Sequence, residues 1–397
     1  MVVDMPNQTS DYDNELERIT RLMAACERDA LAKPADSESA TKFVYLMYQR
    51  ASLAGSLTEL AALETAITAA IEAIGPAGDL YFLKANLDFK LHRLGAVKQD
   101  LETGRGLKDS PQGKALQADL DFQEGRYGES RRGYEALIQD EPTWDNLARL
   151  AHLKFKLGDF AGAEQCYIDA ENELTAKEMR SFAWVQLQRG LVGLRRGLYK
   201  EAENHYRMAA LAYSGYWLVD EHMAELCGAL GRFDEAVDLY RKVISAVPRP
   251  EFQQALGELY QSMGQPEQAK PWHDQALSTY LDSAQKGEVC YYHHLTDFYC
   301  DVVHDGEEAV KWARKDIALR RNFSTLAALA WALYRADELE EAVETMDEAT
   351  SSGAVDAHLF FQAGTIYQAA NGNGKGNKYL RMAAEINPHY HDFHAHR

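Results

Sequence analysis

The sequence predicts an all-α protein built from repeated helix hairpins, and three observations carry that prediction. The chain has 397 residues, of which 46% are hydrophobic, enough to bury a continuous core. A short pattern recurs along most of the chain: a turn, then a small residue, then an aromatic residue four positions later. Its period is about 34 residues, which is room for two helices and a turn.

The repeated small residue sets the phase of the pattern. Two intervals between copies are longer than the others, by about five or six residues relative to the usual period of this kind of repeat. The copies fall at Ala96, Ser130, Ala163, Ala202, Ala236, Ala269, Ala309, Ala342 and Gly376. This regularity predicts about nine hairpins, with longer helices around residues 171–180 and 277–288, where the period is extended.

Within each hairpin the small residues allow the two helices to approach closely. Gly190 in the first helix precedes Ala202 in the second by about one third of the period, and the same offset separates Gly257 from Ala269. Tyr206 follows Ala202 at i+4, on the same face of a helix, and is expected to fill the space between the paired helices. Prolines such as Pro248 cannot continue a helix and mark the ends of units.

These residues and offsets resemble those of the tetratricopeptide repeat family. The resemblance covers about residues 78–388 and recurs in phase, although the first unit lacks the aromatic residue of the second helix and the last has Gly376 where alanine is usual. It implies a right-handed superhelical solenoid of about nine hairpins whose first helices line a concave face. It also implies a function in protein–protein interaction.

The first 77 residues follow a different pattern. Leu16–Leu31, Ala40–Leu53 and Leu57–Ile74 have the periodicity of amphipathic helices, and the segment KPADSES separates the first two. We interpret residues 1–77 as a helical cap, because a terminal repeat leaves one apolar flank uncovered. Residues 1–12 are expected to be disordered.

The repeat geometry predicts a concave groove that binds a partner. Its middle is expected to be acidic, and its C-terminal part aromatic and rich in histidine. The candidate partner-binding residues are Glu221, Glu225, Glu251, Gln254, Glu258, Tyr291, His294, Asp301, Trp331, Tyr334, His358 and Phe361. This composition suits a protein or peptide with basic and apolar groups, and it differs from the carboxylate clamp that the family uses for acidic C-termini. The alternative is a solvated acidic surface without a ligand.

An adaptor or scaffold is therefore the first functional hypothesis. A second hypothesis keeps the fold but makes the groove a sensor of a small peptide or ligand whose binding compacts the superhelix. The third is a metal-dependent enzyme, and it rests on CYYHHLTDFYCDVVHD, where His293, His294 and Asp297 are neighbours on one helix. His304 is the candidate further ligand of such a site.

The C-terminal residues 389–397 form a histidine-rich tail, with His389, His391, His394 and His396 beside Asp392. If the tail is helical, His391 and His394 share a face and become candidate metal ligands. Two ligands on one helix arise easily by chance, so the sequence predicts neither a metal nor a cofactor. The glycine-rich NGNGKGNK at 371–378 lacks the pattern of a phosphate-binding loop and is predicted to be the turn of the last hairpin.

Charge and composition exclude several classes of function. The net charge of −19 disfavours binding to nucleic acids and to anionic membranes. No apolar stretch is long enough for a transmembrane helix, and the N-terminus as written shows no signal peptide. The five scattered cysteines are typical of reduced thiols, which favours a cytoplasmic location. The oligomeric state stays open, because the ends of such arrays can self-associate.

Overall fold

A computed structural model describes residues 9–32 and 37–395, and these residues form α-helices joined by short turns, with no β-strand among them. The helices are α1 (Asp11–Ala32), α2 (Ser37–Ala54), α3 (Leu57–Ile74), α4 (Gly78–Lys90), α5 (Leu94–Thr103), α6 (Pro111–Gln123), α7 (Tyr127–Asp140), α8 (Trp144–Lys156), α9 (Phe160–Asn172), α10 (Met179–Arg195), α11 (Tyr199–Ala212), α12 (Trp217–Ala229), α13 (Phe233–Ala246), α14 (Pro250–Ser262), α15 (Pro266–Gln285), α16 (Tyr292–Phe298, continued by a π-helical turn, Tyr299–Val303), α17 (Gly306–Leu319), α18 (Phe323–Arg335), α19 (Leu339–Ser351), α20 (Ala357–Ala369) and α21 (Asn373–Ile386).

From α4 to α21 the helices pair into consecutive antiparallel hairpins, which we number 1 (α4–α5) to 9 (α20–α21) within the described part of the chain. The all-α repeat fold predicted from the sequence is confirmed. None of the helices in the described ranges is both long and apolar enough to span a membrane.

The small residues lie where the two helices of a hairpin touch. Ala202 and Tyr206 are fully buried. A Cβ atom placed on Gly190 would lie 2.2 Å from Cε1 of Tyr206, and one on Gly257 would lie 2.1 Å from Cδ2 of His273. Since such distances are far below van der Waals contact, only glycine fits at these two positions. The packing inside each hairpin therefore explains the repeat.

The two longer intervals of the repeat have different structures. The second is absorbed by α15, which has 20 residues, as predicted. The first does not lengthen the helix around 171–180, so that prediction is wrong: α9 ends at Asn172, and a turn follows in which Thr175 donates to the Glu178 carboxylate. The remaining inserted residues extend α10, which has 17 residues.

The hairpins wind into a superhelix whose second turn lies on the first. The turn of hairpin 2 contacts the residues that lead into α18 of hairpin 8, since a Cβ on Gly125 would lie 2.7 Å from the Arg321 carbonyl oxygen. The turn of hairpin 3 contacts the start of hairpin 9 in the same way: the Val355 N–H donates to the Lys156 carbonyl at 3.0 Å. Each contact joins hairpins six units apart, so one superhelical turn takes about six hairpins.

The N-terminal helices take part in the same winding. A Cβ on Gly55, between α2 and α3, would lie 3.1 Å from Val247, which leads into hairpin 6. The Trp217 indole N–H donates to the Leu53 carbonyl at 3.0 Å. Residues 1–8 lie outside the described residues, but α1 begins at Asp11 and the Tyr12 N–H donates to the Ser214 carbonyl. The expectation of disorder through residue 12 is therefore wrong at its end, because contacts with hairpin 4 order these residues.

Candidate functional site

A cavity of about 550 Å³ lies inside the superhelix. Its walls come from the first helices of hairpins 6 to 9, from the ends of α8 and α10, and from the C-terminal segment. Because the second superhelical turn lies over part of the first, the concave face forms a partly covered cavity that stays open to solvent on one side. Half of the candidate partner-binding residues line this cavity.

One wall of this central cavity is acidic. Glu251, Glu258, Asp297 and Asp301 line it, and the side chains of Asp297 and Asp301 are 40% and 51% exposed. The Gln254 amide donates to Glu258 at 2.8 Å. Surrounding protein raises the pKa of Asp297 to about 6, and the charge of Asp301 adds to this effect. A cation entering the cavity would stabilise these carboxylates in their charged form.

The opposite corner carries two cations that the sequence analysis missed. Lys156 ends α8 and Arg195 ends α10, and both lie near the Asp356 carboxylate, whose pKa they lower against the effect of its burial. The Lys156 ammonium lies 6.0 Å from the centre of the Phe323 ring. The sequence contained a signal for both residues. Each follows the small residue of its helix at the same offset at which Ser262, another residue of the cavity wall, follows the small residue of α14. The cavity is therefore acidic on one side and basic at one corner.

Histidines are concentrated on the cavity wall. Those that line it are His273, His293, His294, His304, His358, His391 and His394. His293 lies 3.5 Å from Asp297 and 3.3 Å from Asp316. His294 stacks on Tyr280, with ring centres 5.5 Å apart.

The geometry of these histidines does not form a metal site. His304 lies against Arg335 and the Cys300 carbonyl, away from the proposed ligand set. His391 packs on the Tyr390 ring, and His394 lies 3.8 Å from Glu225. In the ranges that the structure describes, no three His, Cys, Asp or Glu side chains are placed to hold a metal ion together. His396 lies outside those ranges.

The structure brings half of the predicted groove residues to the cavity and places the rest elsewhere. Those on the wall are Glu251, Gln254, Glu258, His294, Asp301 and His358. Glu221, Glu225 and Tyr291 are buried in the protein. The aromatic residues expected as exposed anchors, Trp331, Tyr334 and Phe361, lie outside the cavity lining.

Those three aromatic residues pack on one another. The rings of Trp331 and Tyr334 are 5.1 Å apart, and those of Trp331 and Phe361 are 6.3 Å apart. The Trp331 indole also donates to Asp301 at 3.2 Å. All three side chains are half-buried, so packing within hairpins 7 to 9 and against the C-terminal segment covers part of the surface that the groove prediction assigned to a partner.

The C-terminal segment, residues 387–395, folds back onto hairpins 4 and 5. Phe393 and His394 are buried, whereas a histidine-rich tail at the end of the sequence suggests exposure to solvent. The Ala395 backbone N–H donates to the Glu225 carboxylate at 3.0 Å. The Tyr199 hydroxyl donates to Asp392 at 3.1 Å. This segment therefore forms part of the cavity wall.

The glycine-rich stretch 371–378 contains the last hairpin turn, and α21 already begins at Asn373. Asn371 holds the left-handed conformation of that turn, with φ of 60°. Lys375 pairs with Asp347, and its ammonium lies 3.8 Å from the centre of the Tyr367 ring. The positive charge of Lys375 is therefore paired with groups of the protein itself.

Two models of the tetratricopeptide repeat match the chain, at residues 221–254 and 324–348. The first match covers helices of hairpins 5 and 6, and the second lies in hairpin 8. Together with the succession of hairpins, these matches define an α-solenoid of interaction repeats. The chain therefore contains tetratricopeptide repeats.

Comparison with the curated proteins finds no match. Among solved structures, the chain is similar to MamA, with 18% identity, 42% of this chain and 96% of that chain covered, and a TM-score of 0.34. It is also similar to a chain in the structure of Naa15/Naa10 bound to HypK-THB, with 17% identity, coverage of 94% and 68%, and a TM-score of 0.28. A chain of the APC/C hetero-tetramer Cut9–Hcn1 shows 13% identity, coverage of 93% and 84%, and a TM-score of 0.43.

Proposed function

We propose that this protein is an adaptor that holds a segment of a partner protein in the central cavity. Tetratricopeptide repeats are interaction modules, which supports an adaptor in general. The observation that carries the specific proposal is the acidic wall, where Asp297 and Asp301 keep much of their side-chain surface exposed in a concave cavity. The partner segment carries a lysine or arginine for this wall and apolar groups for the remainder.

The electrostatics of the cavity favour such a segment. Carboxylates in a confined, partly dehydrated space attract a cation more strongly than surface carboxylates do. Burial raises the pKa of Asp297 to about 6, and the nearby His293 supplies only part of the counter-charge that would offset this effect. A bound ammonium or guanidinium group would supply that counter-charge. Electrostatic complementarity of this kind mainly speeds association and selects the partner.

The basic corner adds a second requirement for the partner. Lys156 and Arg195 are partly buried, and the Asp356 carboxylate lies near both of them. A segment with an acidic group on the side facing this corner would therefore match the cavity better than a purely basic one. No covalent step is needed for this function.

The experiment starts with affinity capture from the source lysate and continues with the purified partner. The binding constant is measured for the wild type, for Glu258→Gln/Asp297→Asn and for the control Glu201→Gln on the exposed side of α11. We expect the cavity variant to weaken binding by about tenfold, mainly in the association rate, and more strongly at low salt. The control should bind as the wild type does. Unchanged binding by the cavity variant would remove the acidic wall from the recognition site.

The second candidate function is the sensor of a small peptide or other ligand, and the size of the cavity favours it. About 550 Å³ falls in the range of small-ligand sites. A ligand that joins walls from hairpins 3 and 9 would also tighten the contact between superhelical turns. Small-angle scattering with and without fractionated peptides measures this. A decrease in radius of gyration supports a sensor, whereas an unchanged radius despite partner binding supports the adaptor.

A further inference from the structure

The C-terminal segment lies in a small site of its own beside the central cavity. We define this segment-binding site by Tyr199, Glu225, Gly228 and Phe361, which contact residues 387–395. We propose that it is a recognition site for a short segment with an aromatic anchor, and that the chain's own C-terminal segment occupies it until a partner segment of the same chemistry displaces it. This inference rests on the proposed adaptor function, because it names how a partner gains access.

The aromatic anchor is Phe393, and the place that receives it is Gly228 in α12. A Cβ on Gly228 would lie 2.4 Å from Cδ1 of Phe393, so the ring rests directly on the helix backbone. Phe393 is only 8% exposed and joins the core cluster that includes Leu256 and Leu259. A glycine in the middle of a helix costs stability, and its absence of a side chain here makes room for the ring.

A buried carboxylate fixes the residues that follow the anchor. Glu225 is 0% exposed, and its Oε1 accepts the Ala395 backbone N–H at 3.0 Å. The His394 ring lies 3.8 Å from the same oxygen. A buried carboxylate requires hydrogen bonds from its surroundings, and this segment supplies one through its backbone. Ala395 itself is half-buried and also lines the central cavity.

The residues before the anchor make ring contacts on both sides of the site. His389 lies over Tyr199, with ring centres 5.2 Å apart. Tyr390 packs against Phe361 at 5.5 Å. The side chains of His389 and Asp392 nevertheless remain 51% and 40% exposed. The site therefore recognises an aromatic residue that is followed by a small residue and has histidine neighbours. A partner segment that displaces residues 387–395 is expected to carry the same pattern.

The segment is suited to exchange because it has few attachments. It follows the last helix without forming a helix of its own, and it is held by two buried side chains, Phe393 and His394, a few ring contacts and a few hydrogen bonds. His391, Phe393, His394 and Ala395 also line the central cavity. Departure of the segment therefore removes part of the cavity wall and opens a path to the acidic carboxylates. A partner that binds here would place its adjoining residues in the cavity.

The test uses full-length chains and a labelled synthetic peptide with the sequence of residues 387–397. Fluorescence anisotropy is measured with the wild type, Phe393→Ala, and Phe393→Ala/Gly228→Ala. Loss of the anchor ring weakens the intramolecular contact, so Phe393→Ala is expected to bind the peptide about 10- to 100-fold more tightly than the wild type. Adding Gly228→Ala fills the place of the ring, so the double variant is expected to lose this gain.

Matched controls separate recognition from folding. Alanine is a better helix former than glycine, so Gly228→Ala is expected to keep α12 intact, which circular dichroism checks. Gly95→Ala in α5, where a Cβ meets no atom within 4 Å, is the matched control and should leave peptide binding unchanged. A peptide in which the phenylalanine is replaced by alanine should not bind Phe393→Ala.

Each contrary result overturns the inference. If the wild type binds the peptide as tightly as Phe393→Ala, the intramolecular segment does not compete. If no chain binds the peptide, or if the double variant binds as well as Phe393→Ala, the segment-binding site does not recognise this chemistry. None of these results touches the adaptor proposal, whose test changes Glu258 and Asp297 and follows a captured partner.

Discussion

The contact between superhelical turns can be tested by one pair of glycine substitutions. Gly158 and Gly231 occupy the same position in the turns of hairpins 3 and 5, with φ of 79° and 71°. Alanine costs about 1 kcal/mol at either position, because L-residues disfavour the left-handed conformation. The pair differs in what a side chain would meet, so the difference between the two variants isolates the contact.

At Gly158 the added Cβ would lie 2.7 Å from both Cβ and Cγ2 of Val355 in the second superhelical turn. At Gly231 it would meet nothing within 4 Å. Relieving the overlap costs about 1–3 kcal/mol in a packed interior. It also strains the hydrogen bond between Val355 and Lys156, which is worth about 1 kcal/mol. Gly158→Ala should therefore lose about 2 kcal/mol more unfolding free energy than Gly231→Ala.

Guanidinium unfolding, followed by circular dichroism and tryptophan fluorescence, measures the two losses, and hydrogen exchange locates them. Repeat arrays can unfold in steps, so the exchange data are needed beside the midpoints. We expect faster exchange in α8, α20 and the residues leading into α20 for Gly158→Ala, and changes confined to hairpin 5 for Gly231→Ala. Losses that agree within about 0.5 kcal/mol would show that the contact adds nothing to stability.

Two further substitutions test the core beneath the cavity and the docking of the N-terminal helices. Asp316 is 2% exposed, and although burial opposes it, His293 and the Arg320 charge hold its pKa well below the usual range. Asp316→Asn should lower the unfolding free energy by about 3–5 kcal/mol at neutral pH. A carboxyl group whose pKa is depressed by folding stabilises the folded state in full only above its unfolded-state pKa. The difference in unfolding free energy between the variant and the wild type should therefore shrink below about pH 4 in unfolding titrations. Trp217→Phe leaves the Leu53 carbonyl without its hydrogen-bond donor, so the unfolding free energy should fall by about 1–3 kcal/mol. Hydrogen exchange in α2 should become faster, and unchanged exchange would contradict this prediction.

The hairpins could be predicted from the sequence because their packing is local. A small residue such as Gly190 and an aromatic such as Tyr206 meet within a single repeat, so the periodic pattern contains the whole interaction. The first helix of hairpin 6 is regular, and the three candidate groove residues on it, Glu251, Gln254 and Glu258, all line the cavity. Where the helix is regular, the position in the repeat determines where a side chain points.

The predictions failed where the structure depends on contacts between distant repeats. Gly158 and Gly231 look alike in the sequence, yet only the first lies under a second layer. In hairpin 7, His294 and Asp301 line the cavity, but Tyr291, which stands just before α16, is buried in the protein. Trp331 and Phe361 were predicted to bind a partner, but the packing of hairpins 8 and 9 and the return of the C-terminal segment cover part of their rings. Neither the contact between superhelical turns nor the return of the C-terminal segment can be recognised from the local sequence.

The C-terminal segment follows the path that the next hairpin would take. The turn glycines of hairpins 2 and 3 contact residues leading into hairpins 8 and 9, and Gly197 of hairpin 4 contacts Asn387 and His389 in the same manner. A Cβ on Gly197 would lie 2.4 Å from the Asn387 side-chain oxygen. The type of contact that joins hairpins six units apart therefore also positions the beginning of the C-terminal segment. A partner that displaces residues 389–395 would continue the superhelix in the position of a tenth unit, so the winding of the repeats and the recognition of the partner depend on one set of contacts.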